Sequence, residues 1–406
     1  MAEDLATHEQ AETVASAPGR PGPRGPIAHL RRRILPGFGR LFAGLAIALL
    51  LIWLAGRIWT DEHLATQWLW WMPTPLVLAG ALLLVGVSKL LEFASLRLGG
   101  IMLRPIAIIL GCCVFGWYLV AEAGLWLSRA KSVEGEPFTI AYWNLSGGSV
   151  EASSVDLDEF GAADLVVLAN GRERTALDAA VIAALAPAGD AGELPEDGAR
   201  PVRYARVLAS GVITRDPILA VGEAKLDLPA SAWTKERLGT FQNGVAFVTL
   251  DTTERLGRDV TFWIVDLPSD PMLHRPRAIA AMLQAAERFA GTVRVPDQLG
   301  RWLQTERAAT GFPEPDAIIG DFNTPRGSAS LAPFRGGFAE SHDQAGRGLG
   351  HTFIGRYPLW AIDLAFVSRS NRIVSSRVTM PGAGSHRALI VGLDVAEQLS
   401  GADASR

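Results

Sequence analysis

Three long apolar runs, at residues 41–59, 68–87 and 105–127, decide most of what this chain can fold into. Each is about 20 residues, the length a helix needs to cross the hydrocarbon of a bilayer. Arg57 alone interrupts the first, the second carries no charge, and the third carries only Glu122. Trp68, Trp70, Trp71, Trp117, Tyr118 and Trp126 lie near the run ends and suit an interfacial aromatic belt. Residues 41–128 are therefore predicted to form three transmembrane helices. A cleaved signal peptide fits poorly, because Arg31, Arg32 and Arg33 start too late and two further runs follow.

The basic residues orient the spans. Arg31–Arg33 and Arg40 precede the first, and Lys89, Arg97 and Arg104 separate the second from the third. The loop between the first two sets Arg57 against Asp61 and Glu62. The positive-inside rule then puts the N-terminus in the cytoplasm and everything after Leu127 outside the cell (inner) membrane. Glu122 is expected near the outer face as an interfacial residue, with a functional intramembrane acid as the alternative.

Residues 1–40, rich in Ala, Gly, Pro and Arg, read as a disordered cytoplasmic tail. Residues 129–137 read as a linker, 138–396 as one large domain, and 397–406 as a C-terminal tail. Both cysteines, Cys112 and Cys113, fall in the third apolar run, so no disulfide framework holds the exported part. Residues 136–406 carry 26 Lys and Arg against 33 Asp and Glu, which argues against an obvious nucleic-acid binder.

Within the domain, β-rich runs recur at 138–143, 164–168, 204–214, 244–250, 260–267, 317–322, 361–367 and 389–393. Many are apolar without alternation, as in strands buried on both faces. Helical spacing appears at 177–185 and 275–290. This is an α/β pattern with irregular mixing. Polar groups close several of the strands: Asn144, Asn170, Asp266, then Asp321 and Asn323 in GDFNTPRG (320–327), and Asp363 in IDLAFVS. His386 opens the last strand. In the GDFN segment, alternation puts Asp321 and Asn323 on one side and Phe322 on the other. Polar residues gathered at strand ends are a common way to assemble an active site, although a plain Asp/Asn/Pro turn also explains GDFNTPRG.

The order GDFN, IDLAFVS, SHRALIV resembles the endonuclease/exonuclease/phosphatase superfamily, across nearly all of residues 138–396. The segment 210–218 also resembles a family segment. The resemblance implies a deoxyribonuclease-like fold, a two-sheet β-sandwich with helices outside, and hydrolysis of phosphate esters assisted by Mg²⁺ or Mn²⁺. By matching motif, it implies that Asp321 handles the nucleophilic water and Asn323 holds a phosphate oxygen. Asn144 would position metal or phosphate, His386 would donate to a phosphate oxygen, and Asp363 would orient His386.

Three positions depart from the family pattern. Its second strand ends in L-Q-E, with that Glu as principal metal ligand, where this chain has Leu168, Ala169 and Asn170. A phosphate-binding His is replaced by Asp266, and the S-D-H motif reads Gly384, Ser385, His386. Mg²⁺ usually needs one or two carboxylates, and an Asn carbonyl brings no charge. Asn144, Asn170 and Asp266 are the remaining metal-ligand candidates, with Glu173 and His274 as possible substitutes for the lost Glu and His.

Two functions follow. One is a membrane-anchored, externally facing phosphoester hydrolase with altered metal ligation. The other is a catalytically degenerate phosphate-ester or partner-binding module on the same fold. Three spans make the lipid bilayer a partner. The acidic domain and its tether favour a lipid head group or small phosphodiester over nucleic acid as substrate.

Overall fold

The structure, a computed structural model, describes residues 34–94, 102–124, 136–147, 150–171, 176–186, 202–228, 243–296, 302–306 and 311–395. Most of the N-terminal tail, most of the linker, Glu173 and the C-terminal tail lie outside these residues.

Three helices are long and apolar enough to cross a membrane: α1 (Leu35–Trp59), α3 (Thr74–Ala94) and the stretch Leu103–Glu122. The last is α4 (Leu103–Trp117) continued by a π-helical turn, Tyr118–Glu122. The helices run up, down and up. Ser88 Oγ donates to Gly39 O at 2.7 Å at one end of the bundle. At the other end Arg57 meets Glu122 at 3.1 Å and donates to Thr74 Oγ1 at 2.8 Å. Two boundaries differ from the sequence reading. The first helix begins at Leu35, inside the segment assigned to the tail. The second run does not start a span at Trp68, because residues 64–70 form a separate short helix, α2 (Leu64–Trp70), and α3 begins only at Thr74, after Pro73. Proline fixes φ and lacks an N–H, which suits a helix start rather than a helix interior.

The domain is built on two mixed sheets. The first has six strands in the order β13 (Arg372–Thr379), β14 (Ala388–Asp394), β1 (Phe138–Asn144), β2 (Leu165–Ala169), β4 (Ser210–Thr214), β3 (Arg203–Val207). The second has eight: β11 (Phe338–Glu340), β12 (Asp363–Ser368), β10 (Ala317–Asp321), β7 (Val260–Asp266), β6 (Gly244–Leu250), β5 (Ile218–Lys225), β8 (Thr292–Pro296), β9 (Trp302–Glu306). Each sheet has one central parallel pair, β1 with β2 and β7 with β10, among antiparallel neighbours.

The two sheets share one core. Phe138, Tyr142 and Val391 from the first pack with Phe262, Ile264 and Ile319 from the second. Helices cover the outer faces. α5 (Ala176–Leu185) lays Leu177, Val181 and Leu185 near Trp143 and Leu168. α6 (Arg275–Glu287) lays Ala278, Ile279 and Met282 on Val245, Val265 and Ile318. Burial on both faces is why these strands read as continuous apolar runs. The single run at 204–214 is in fact a hairpin, β3 and β4, turning at Leu208, which takes the left-handed φ of 51°.

Candidate active site

The parallel pairs decide where the polar strand ends go. In register, Asn144 pairs with Ala169, the residue before Asn170, and Asp321 pairs with both Asp266 and Asp363. Parallel strands end on the same edge, so side chains far apart in sequence meet at one rim of the sandwich. There they line a cleft of about 370 Å³, with Asn144, Asn170, Asp266, Asp321, Asn323 and His386 in its wall.

Gly320 allows this edge to close. A Cβ there would lie 2.0 Å from Val265 O. The chain then turns at Asn323, whose φ of 45° is left-handed, a conformation Asn tolerates better than most residues. Asn323 N donates to Asp321 Oδ1 at 2.8 Å, and its side-chain Nδ2 donates to Leu267 O at 2.7 Å.

Two side-chain pairs lie side by side at the cleft. Asn144 Nδ2 donates to Asp321 Oδ2 at 2.8 Å, which joins the two sheets. His386 Nδ1 lies 2.7 Å from Asp363 Oδ2. His386 and Asp363 are 4 % and 2 % exposed. Burial alone would lower the His386 pKa, but Asp363, Asp321 and Asp266 outweigh it and raise it to about 9. The acids therefore favour the charged form of the ring. Asp321 is itself pushed upward by burial and by Asp363, against the pull of His386.

Asn170 is the residue that the sequence reading set against the Glu of the family pattern. It takes a left-handed φ of 56° and donates through Nδ2 to Asn144 Oδ1 at 3.2 Å and to Asp266 Oδ1 at 3.3 Å. Its Oδ1 is buried and has no partner. Burial lifts Asp266 to about 7, which the Asn170 bond and His386 only partly offset. Ser385 is on the rim and donates to Ser146 Oγ at 2.6 Å. His274 does not join the cleft; it is the residue before α6, with Nε2 3.0 Å from Glu62 O.

The donor set fits a hard divalent cation. The orphaned Asn170 Oδ1 and the carboxylates of Asp266 and Asp321 would offer oxygen ligands to such an ion, since Mg²⁺ usually takes one or two carboxylates and completes its shell with water and phosphate. Ligand atoms of Asp321, Asp363 and His386 also lie within 4.8 Å of one another. The sequence reading missed Phe353, whose ring centroid is 4.8 Å from that of His386, and Thr352, whose Oγ1 accepts from Asp363 N at 3.1 Å. Neither lies in a segment with a recognisable pattern.

No protein-family model and no curated protein matches this chain. The chain is similar to endonuclease/exonuclease/phosphatase proteins of known structure. One, from Bacteroides thetaiotaomicron, is 15% identical with a TM-score of 0.43, over 64% of this chain and 98% of that one. A mannosyl-6-phosphatase from Bacteroides thetaiotaomicron VPI-5482 is 15% identical with a TM-score of 0.44, over 63% and 99%. An inositol polyphosphate 5-phosphatase domain of a synaptojanin, in complex with inositol (1,4)-bisphosphate and calcium ion, is 12% identical with a TM-score of 0.40, over 64% and 84%.

Proposed function

We infer that this chain is a phosphoester hydrolase of the endonuclease/exonuclease/phosphatase superfamily, held at the outer face of the cell membrane by its three spans. The observation that carries this is the meeting of the His386–Asp363 pair and the Asp321–Asn144 pair in one cleft. His386, fixed through Nδ1, keeps Nε2 for a phosphoryl oxygen and supplies positive charge where the transition state gathers negative charge. Asp321 accepts the proton of an in-line water, as a carboxylate set beside the His386 ring can. Asn144 orients Asp321. Asn323 Nδ2 gives one N–H to Leu267 O and keeps its second N–H for an oxygen of the bound ester. Mg²⁺ or Mn²⁺ held by Asp266, Asn170 and Asp321 would neutralise phosphoryl charge. The substrate class favoured by an acidic domain tethered to a bilayer is a lipid head group or a small phosphodiester.

Asn170 in the place of an acid supports a second reading, a module that binds phosphate esters without turning them over. The full-length protein in detergent, assayed on a chromogenic phosphodiester with and without Mg²⁺ or Mn²⁺, separates the two. Metal-dependent turnover abolished by His386→Gln supports the hydrolase. Saturable ester binding with no turnover in any metal supports the module.

A further inference from the structure

The loop between the first two spans does more than connect them. Residues 60–73 reach the turns that carry the cleft. Gln67, on α2 and 1 % exposed, spends its whole amide on one segment: Nε2 donates to Pro271 O and Leu273 O, both at 3.1 Å, and Oε1 accepts from Arg275 N at 3.0 Å. Asp61, fully buried, accepts from Ser330 N at 3.1 Å and from Ser330 Oγ. Trp70 Nε1 donates to Ser328 Oγ at 2.7 Å, and Trp360 Nε1 donates to Trp71 O at 2.9 Å.

Each anchored segment continues directly into the cleft wall. The segment held by Gln67 begins at Leu267, whose carbonyl fixes the Asn323 side chain, and includes Ser269, which lines the cleft. The segment held by Asp61 and Trp70 follows Asp321 and Asn323. Trp360 bridges by backbone to Phe353, the residue packed on His386. Buried polar groups of this kind are costly to leave unpaired, so the contact is an obligatory part of the fold.

We propose that the 60–73 loop is a positioning element of the cleft, with Gln67 and Asp61 as positioning residues, so that the geometry at Leu267–Ser269 and Asn323 depends on the membrane segment. The proposal concerns geometry; only its kinetic arm rests on the hydrolase reading.

The test uses the full-length protein in lipid nanodiscs and hydrogen exchange. Gln67→Ala is expected to raise exchange about tenfold at 268–275, and Asp61→Ala to do the same at 328–331, as loss of buried hydrogen bonds does locally. Strands 138–144 and 388–394 keep their protection. Asp61→Asn, which keeps an acceptor for Ser330 N, restores the second turn, and Glu62→Ala, which alters a side chain the contacts do not use, changes nothing. Should an alanine variant lose strand protection as well, Trp70→Phe decides, since it keeps a ring and deletes one bond; faster exchange near Ser328 is then expected. In a turnover assay Gln67→Ala lowers kcat with little change in KM. Wild-type exchange at both turns in folded variants overturns the proposal, as does a loosened turn with unchanged kcat. An inactive wild type defeats the hydrolase reading and leaves the exchange result to decide this one.

Discussion

Asp363 meets His386 at Nδ1, 2.7 Å away, and leaves Nε2 as the only ring nitrogen able to serve the cleft. The acid therefore sets the ring's tautomer, orientation and charge together.

One consequence is a pH profile. With His386 raised to about 9, hydrolysis that needs the imidazolium declines on an alkaline limb near pH 9. Asp363→Asn removes the largest of the charges that raise it, so the limb moves toward neutral pH and kcat falls by about 10²–10⁴. A limb that stays in place in Asp363→Asn would show that another group titrates there.

Asp266 makes a stability prediction. Its folded pKa of about 7 exceeds its ordinary 3.8, because burial disfavours the charge. Its contribution is fully present below pH 3.8 and is lost as pH rises through 7. Asp266→Asn removes that loss, so the metal-free variant gains on wild type between pH 4 and pH 7, by up to about 1.4 kcal/mol per pH unit. Denaturation in chelator at pH 5 and pH 8 measures it, and an equal difference at both would refute the assignment. The same variant is expected to bind Mn²⁺ more weakly.

Asn170→Glu returns the acid to the position beside Asp266. Calorimetry is expected to show tighter Mg²⁺ and Mn²⁺, since these ions prefer charged oxygens. Without metal the variant is destabilised, both by repulsion between carboxylates and by about 1 kcal/mol for a Glu at a left-handed φ. Ser385→Asp adds less, because Ser385 stands on the rim with Ser146. Unchanged metal affinity in Asn170→Glu would remove Asn170 from the metal site.

Gly320→Ala tests the closing of β7 on β10. With a Cβ only 2.0 Å from Val265 O, the backbone must shift, at a cost of about 1–3 kcal/mol or more. A thermal midpoint like that of wild type would mean that the two strands are looser than described.

Topology has its own check. Alkaline phosphatase fused after Ser132 is expected to be active, as an external position requires. Activity only from a cytoplasmic reporter at that point would reverse the orientation of the spans and of the site.

The sequence by itself determined what depends on neighbouring residues. Twenty apolar residues in a row must find lipid or a core, so the three long apolar helices were legible, as were most strands buried on both faces. GDFN, IDLAFVS and SHRALIV also exposed their polar ends, because Asp321, Asp363 and His386 interrupt apolar runs. Less apolar strands were not legible. β5, with Leu219 and Glu223 turned outward, and β13, with Ser375, Ser376 and Arg377, have no run to mark them. Tertiary structure alone decided which ends meet. Asn144 reaches Asp321 across 177 residues, and Asn170 finds Asp266 across 96, because the two sheets pack with these strand ends at one edge. It also decided the role of Gln67, which stands just before the run at 68–87 and spends its amide about 200 residues away. Hydrophobicity is a property of each residue and can be read in place, whereas a hydrogen bond depends on a partner that only the folded chain supplies.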